Sequence, residues 1–346
     1  MTWAAVLAEL MARRDLSGEA AAWAMDQILA GEATDVQIAG FAVALRAKGE
    51  SVAELSGLAQ AMLDHATWIA LPTEAVDVVG SGGDRAMTVN VSTMAAIVAA
   101  AAGVPVVKHG NRAASSACGT ADCLEALGVA LDVAPSAQAE VLARNGIVFM
   151  FAPLYHPALR YVAAARSGLG VATTFNFLGP LANPARPRAS AIGVADLRMA
   201  PLVAGVVAAR GHRGLVFHGG DGLDELTTTT ASQVWLIGEG RVAETSFDPA
   251  DLGIPRCVPS DLVGGDPTHN AGVVRSVLAG DQGPIRDIVV LNAAAACLAF
   301  AGPQLDRPVA EQLAPHVARA AQAIDSGAAA AVLDAWIPAT QQAQRA

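Results

Sequence analysis

The chain has little of what several familiar classes of protein require. Its four cysteines, Cys118, Cys123, Cys257 and Cys297, form no CxxC pair and no Cys/His zinc spacing, so buried free thiols are expected rather than a disulfide or zinc framework. Basic residues are short: 22 Lys and Arg against 32 Asp and Glu leave a formal charge of −10, which argues against broad nucleic-acid binding while allowing a small cationic pocket. Long apolar runs are missing as well. Met94–Val107 is interrupted by Gly103 and Pro105, and Ile288–Phe300 contains Asn292, so neither is expected to span a bilayer. The start, MTWAAVLAELMARRDL, lacks the basic, apolar and cleavage regions of a signal peptide, so a cytoplasmic location is expected. No internal repeat, low-complexity linker or Ser-His-Asp or Cys-His constellation stands out.

What the sequence does have is glycine and alanine in meaningful places. Val76, Val78 and Val79 read as a buried strand that breaks into Gly80-Ser81-Gly82-Gly83-Asp84. Three glycines in four residues allow positive φ and bring backbone N–H groups close to a ligand. Asn90, Ser92 and Thr93 then open an Ala-rich helix, and a helix start offers free N–H groups and partial positive charge to phosphate. A second strand leads into Lys108, His109, Asn111 and Arg112. A glycine turn with an N-cap is the bland reading of the first loop. Strand, glycine loop, polar cap and helix in that order, beside KHGNR, point instead to an anion site.

The first seventy residues read as helices with their punctuation. Ser17 caps one; Thr34 with Gln37 and Ser51 with Glu54 form capping boxes for two more; Gly31 and Gly49 are stops. From residue 72 strands and helices alternate. The strand candidates are Val76–Val79, Val104–Val107, Ile147–Phe151, Ala189–Val194 and Leu215–His218, with a hairpin around Gly238-Glu239-Gly240. This predicts an α/β fold: a small helical domain, 1–71, joined by part of 155–185, and a larger domain, 72–346, with a mostly parallel sheet flanked by helices. Ligands of such sheets sit at the carboxyl ends of the strands, where both loops fall. The short amphipathic helices predict a homodimer.

Three constellations could carry chemistry. Lys108 is expected directly after its strand, where its ammonium would neutralise phosphate; an ordinary surface lysine is the alternative. His109 and Asn111 could hold a polar substrate, and Thr120 could cap a helix. Asp224 and Glu225, in DGLDELTTTT, are adjacent carboxylates of the kind Mg²⁺ takes beside a diphosphate, although a solvated acidic turn reads the same. Arg166 ends a helix before Gly168 and Gly170. Its fork could grip a carboxylate or merely cap the helix.

GSGGD, NVST, KHGNRAASS, HPALR, Arg166 with TTFNFLGPLANP, and GLDELTTT, in this order and over nearly the whole chain, closely resemble the anthranilate phosphoribosyltransferase family. The resemblance implies a fold of the nucleoside phosphorylase/phosphoribosyltransferase type. It also implies transfer of the 5-phosphoribosyl group of phosphoribosyl diphosphate (PRPP) to anthranilate, in tryptophan biosynthesis. Carried over residue by residue, it assigns Gly80, Gly83, Asp84, Thr88, Asn90, Val91, Ser92 and Thr93 to PRPP. Lys108, His109, Gly110, Asn111, Arg112, Ala113, Ala114, Ser115, Ser116 and Thr120 join them. Gly80, Asn111 and Arg166 fall on anthranilate positions, and Ser92, Asp224 and Glu225 on positions for two Mg²⁺ ions. Lys108 is the electrostatic catalyst, and no general base is required. Arg85 stands where glycine is common, and Ala172 replaces a frequent arginine.

Two rivals share the architecture. A pyrimidine nucleoside phosphorylase would carry a lysine-serine motif in place of KHGNR and has no FNFLGPLANP segment. A non-enzymatic nucleic-acid-binding paralogue would have lost the carboxylate pair and gained a basic face. The chain shows neither pattern.

Overall fold

The structure, a computed structural model, describes residues 1–113 and 117–345; the expectations for Ala114, Ser115 and Ser116 lie outside the described residues. Its N-terminal helices start where capping side chains put them. Ser17 accepts the Ala20 N–H, and both capping boxes form, Thr34 with Gln37 and Ser51 with Glu54. The helices Gly18–Leu29 and Val52–Asp64 pack closely on each other, with Gly57 brought so near Gly18 that a Cβ there would lie 2.1 Å from its carbonyl oxygen.

Seven strands follow: β1 Val76–Gly80, β2 Val106–Gly110, β3 Ile147–Phe151, β4 Ala189–Gly193, β5 Arg213–Gly219, β6 Ser232–Gly238 and β7 Arg241–Phe247. They form one sheet in the order β3-β2-β1-β4-β5-β6-β7, with β1 to β5 parallel and β6 and β7 antiparallel. The hairpin turns through Glu239 and Gly240, both left-handed at φ 54° and 69°, the backbone that matches strand twist. One strand differs from expectation. The β2 strand begins at Val106 and runs through Lys108 and His109 to Gly110, so the lysine lies inside the sheet rather than after it. The reason is register: Lys108 and His109 pair with Phe149 and Met150 of β3.

The period-two alternation of the central strands divides the apolar residues between two cores. Val78, Ala191, Leu215 and Leu236 face the first, packed by helices Val91–Ala101, Pro284–Ala301 and Val309–Asp325. Val79, Ile192, Val216 and Trp235 face the second, which holds the helix Ala200–Ala209, the N-terminal helices, and Val162, Phe175, Leu178 and Leu181. The helix Pro284–Ala301 has the length and apolarity of a membrane-crossing segment, longer than the run expected from sequence, yet Ile288, Leu291 and Ala295 are fully buried in the first core.

Candidate active site

The carboxyl ends of β1 and β2 meet a cleft of about 370 Å³. Close approach shapes its floor. A Cβ on Gly80, the last residue of β1, would lie 2.2 Å from Asp224 Oδ2, and one on Gly193, at the end of β4, 1.6 Å from the Asp224 carbonyl oxygen. Only glycine at both strand ends lets the 224–225 turn reach the sheet edge. The Gly82 N–H donates to Asp224 Oδ2 at 2.7 Å, which ties the glycine loop to that turn. Gly82 and Gly83 are left-handed, and so is Arg85 at φ 60°, which explains why glycine suits that position.

The cleft brings together most of the expected residues: Gly80, Gly83, Asp84, Thr88 and Asn90 to Ser92 from the first loop; Lys108 to Ala113 from the second; and Thr120, Arg166, Asp224 and Glu225. Thr93 is the exception. It is buried inside the helix Val91–Ala101, does not line the cleft, and its hydroxyl has no partner among the described residues. Two local readings are corrected. Asn90 holds the N-cap position without a capping bond; its amide instead donates to the Cys118 carbonyl and accepts from Asn270 Nδ2, at 3.1 and 2.8 Å, fastening the two loops together. Thr120 is the first helical residue rather than the cap. Gly119 caps, because Asp122 Oδ2 takes the Gly119 and Ala113 N–H groups at 3.0 and 2.9 Å.

Lys108 is 2 % exposed, so it is no surface lysine. Its ammonium donates to the Val78 carbonyl and, at 3.2 Å, to Ser92 Oγ. Burial pushes its pKa down, opposed by the carboxylates of Asp77, Glu225 and Asp224. Asp224 is raised to about 6 by burial and by the charge of Asp84, and Glu225 rises well above the usual range through burial and Asp224. Three converging carboxylates thus have one buried cation beside them, and that cation already holds two oxygens.

Arg166 sits in the last turn of the helix Arg160–Leu169, whose end Gly170 closes in the left-handed region. Burial lowers its pKa, and it makes no ion pair among the described residues. Arg112 lines the cleft too, but its guanidinium forks onto Asp122 and Glu125 at 2.9 and 2.8 Å. His109 is buried and held neutral, its pKa pushed down to about 3 by burial and then by His156, whose ring centroid lies 5.3 Å away; its Nδ1 donates to the Gly179 carbonyl at 3.2 Å.

Sequence reasoning missed Asp77. Its carboxylate accepts from the His109 N–H and from Asn183 Nδ2, at 3.1 and 2.8 Å, and burial raises it to about 6. Asn183 also donates to the Val107 carbonyl at 2.7 Å, so β1, β2 and the FNFLGPLANP segment are locked together beneath the cleft. An aspartate in the otherwise apolar VDVVG run was the available signal. Three neighbouring valines made it look like ordinary strand.

A helical bundle beside a parallel sheet, with a glycine loop, a helix start and paired carboxylates at its carboxyl edge, defines a glycosyl-transferring enzyme. Residues 4–66 match the helical bundle domain of the glycosyl transferase family and residues 72–330 its a/b domain. The anthranilate phosphoribosyltransferase of Acidothermus cellulolyticus is 60 % identical over 99 % of this chain and 96 % of its own. Among solved structures, that of the Thermus thermophilus anthranilate phosphoribosyltransferase superposes with a TM-score of 0.90 at 38 % identity, covering 97 % of this chain and 99 % of its own. The Saccharomyces cerevisiae anthranilate phosphoribosyltransferase, in complex with PRPP and Mg, gives 0.87 at 27 % identity, with 98 % of each chain covered. The chain belongs to the anthranilate phosphoribosyltransferase family.

Proposed function

We propose that the chain transfers the 5-phosphoribosyl group of PRPP to the amine of anthranilate, releasing diphosphate. The observation that carries this reading is the cluster of Asp224, Glu225 and Asp84 against Lys108 and the start of the helix Val91–Ala101, all opening on one cleft. PRPP lies along the glycine loop and residues 90–92, with the second loop closing on it. Anthranilate lies between Gly80, Asn111 and Arg166, its carboxylate on the Arg166 fork. On this reading residues 1–71 with part of 155–185 form the helical part, and 72–346 the PRPP-binding part.

The donor set fits Mg²⁺. It consists of hard oxygens, Asp224, Glu225 and Ser92, and its carboxylates are pushed up by burial and then by neighbouring negative charge. Among the described residues no three His, Cys, Asp or Glu side chains form a closed cage, as expected where substrate phosphates complete the coordination. Two ions are expected, with Glu225 serving both. Bound there, Mg²⁺ supplies positive charge to the departing diphosphate.

The aryl amine of anthranilate is neutral at pH 7, so attack needs no strong base. The barrier lies in losing diphosphate while ribose C1 gains cationic character. Lys108 contributes a fixed buried charge and orients Ser92, and the helix start adds its N–H groups. The neutral His109 and the Asp77–Asn183 lock hold the β2 end in place, so proximity is built in rather than acquired.

Anthranilate is fluorescent, and its disappearance with PRPP and Mg²⁺ tests the assignment. No loss of fluorescence, with phosphorolysis of a pyrimidine nucleoside instead, would move the chain to the phosphorylase reading. Retention on DNA at low salt without turnover would favour the paralogue. The homodimer is supported by Met11, Val36 and Val43, which stand 79, 82 and 44 % exposed on the helices Trp3–Met11 and Asp35–Lys48. Light scattering that returns a monomer mass at micromolar concentration would overturn it.

A further inference from the structure

Behind the cleft lies a second cavity, of about 210 Å³, which shares Pro180 with it as a common wall. Gln60 reaches it from the helix Val52–Asp64, Asp77 and Ser190 from paired positions of β1 and β4, and Asn183, Arg186, Arg210 and His212 supply the rest of its polar lining. The positive charge here is poorly compensated. Arg210 has no carboxylate partner among the described residues. Its Nη1 donates to the Leu181 carbonyl at 2.7 Å, and its Nη2 is buried with no partner among them. Burial and then the charge of Arg186 push Arg210 down to about 10. Burial and the charges of Arg210, Arg188 and Arg213 lower His212. The neighbouring guanidiniums have acids of their own on the rim: Arg186 pairs with Asp64 at 3.3 Å, and Arg188 and Arg213 with Glu74 at 3.5 and 2.9 Å.

A buried guanidinium without an acid is costly, and a structure keeps one where something completes it. Arg166 shows the same combination in the cleft, with burial lowering its pKa and no ion pair among the described residues, and there a substrate carboxylate is the proposed completion. Arg210 repeats it where the transfer reaction has no use for it. We propose that the second cavity binds a small oxyanion, a carboxylate or a phosphate, on the guanidinium of Arg210. The cavity lies below the roughly 300 Å³ at which pockets for drug-sized ligands begin, so the ligand has only a few heavy atoms. Asp77, the one carboxylate in the wall, favours a singly charged ligand over a dianion. This site is independent of the proposed transfer reaction.

Isothermal titration of the whole chain with inorganic phosphate, and separately with acetate, tests the site and tells its two ligand sources apart. Wild type should show one more site than Arg210→Gln in at least one arm, or a site weakened about tenfold or more by the substitution. Arg166→Ala should keep that site, because it alters only the cleft. Should Arg210→Gln fail to fold by circular dichroism, Arg186→Gln replaces it, with weaker binding at the same site expected. Equal stoichiometry and affinity for both anions in wild type and in the folded variant overturns the proposal.

Discussion

Two of the buried ionic clusters among the described residues are built on opposite principles. In the helical part, Glu54 is fully buried and completely answered. Its oxygens accept the Leu16 and Ser51 N–H groups at 2.9 and 2.8 Å and the Lys48 ammonium at 2.9 Å. Lys48 in turn reaches Asp15 at 2.6 Å. In the cleft, Asp224, Glu225 and Asp84 repel one another, and Lys108 is engaged with Val78 and Ser92. The first cluster is complete in the free protein. The second is complete only with ligands. Burial alone does not separate structural charge from functional charge; satisfaction does.

The comparison breaks most sharply at Glu54. Glu54→Ala orphans two N–H groups and leaves the buried Lys48 with only Asp15 and the Gly49 carbonyl, so it should cost about 3–5 kcal/mol of stability by urea unfolding. The specific activity of the folded fraction should not change. A variant that unfolds like wild type would mean the cluster holds nothing together.

The cleft should respond in the reverse sense. Glu225→Gln and Asp224→Asn should slow turnover on the order of a hundredfold or more. The same changes remove like-charge repulsion, so the ligand-free variants should melt at or above the wild-type temperature. If activity and melting temperature fall together, these carboxylates are structural and the contrast fails.

Asp77 lies between the two cases, satisfied yet strained by burial. The folded carboxyl keeps its proton up to about pH 6, while the unfolded one releases it near 3.8. Between those values the folded state binds more protons, so its contribution to stability falls as pH rises and levels off above 6. The stability of wild type relative to Asp77→Asn should therefore drop by about 2 kcal/mol from pH 4 to pH 6. Unfolding curves that stay parallel across this range would contradict the assignment.

The smallest expected effect is at Arg166. Arg166→Ala should raise KM for anthranilate about 10- to 150-fold, and more than KM for PRPP. Lysine should restore only part of the loss, because it has the charge without the fork. Lower stability with both KM values unchanged would make Arg166 a helix cap.

Sequence made one cluster far more legible than the other, though not for the reasons that govern its energy. Ser51 and Glu54 read correctly as a capping box because that bond is local, spanning three residues. That Glu54 also anchors Leu16 and Lys48 could not be read, because those contacts depend on how the helices pack. In the cleft, strand, glycine loop and helix start were legible from the glycines and the cap residues. The burial of Lys108 was not, because its depth follows from the β2–β3 register and not from its neighbours in sequence. The roles of Asp77 and Arg210 were not legible for the same reason. Each gains its meaning from residues more than twenty positions away.

The helix Pro284–Ala301 carries a consequence for how the chain is made. Among the described residues it is the one helix long and apolar enough to cross a membrane, and it packs against Val91–Ala101, which is synthesised almost two hundred residues earlier. All seven strands likewise precede it. Much of its docking surface is therefore made before it emerges from the ribosome, and only Val309–Asp325 follows it. A circular permutant that opens the chain just before Pro284 would reverse that order, releasing an apolar rod with only Val309–Asp325 to receive it, and such a permutant should aggregate or seek membranes more than one opened in the N-terminal helical turns.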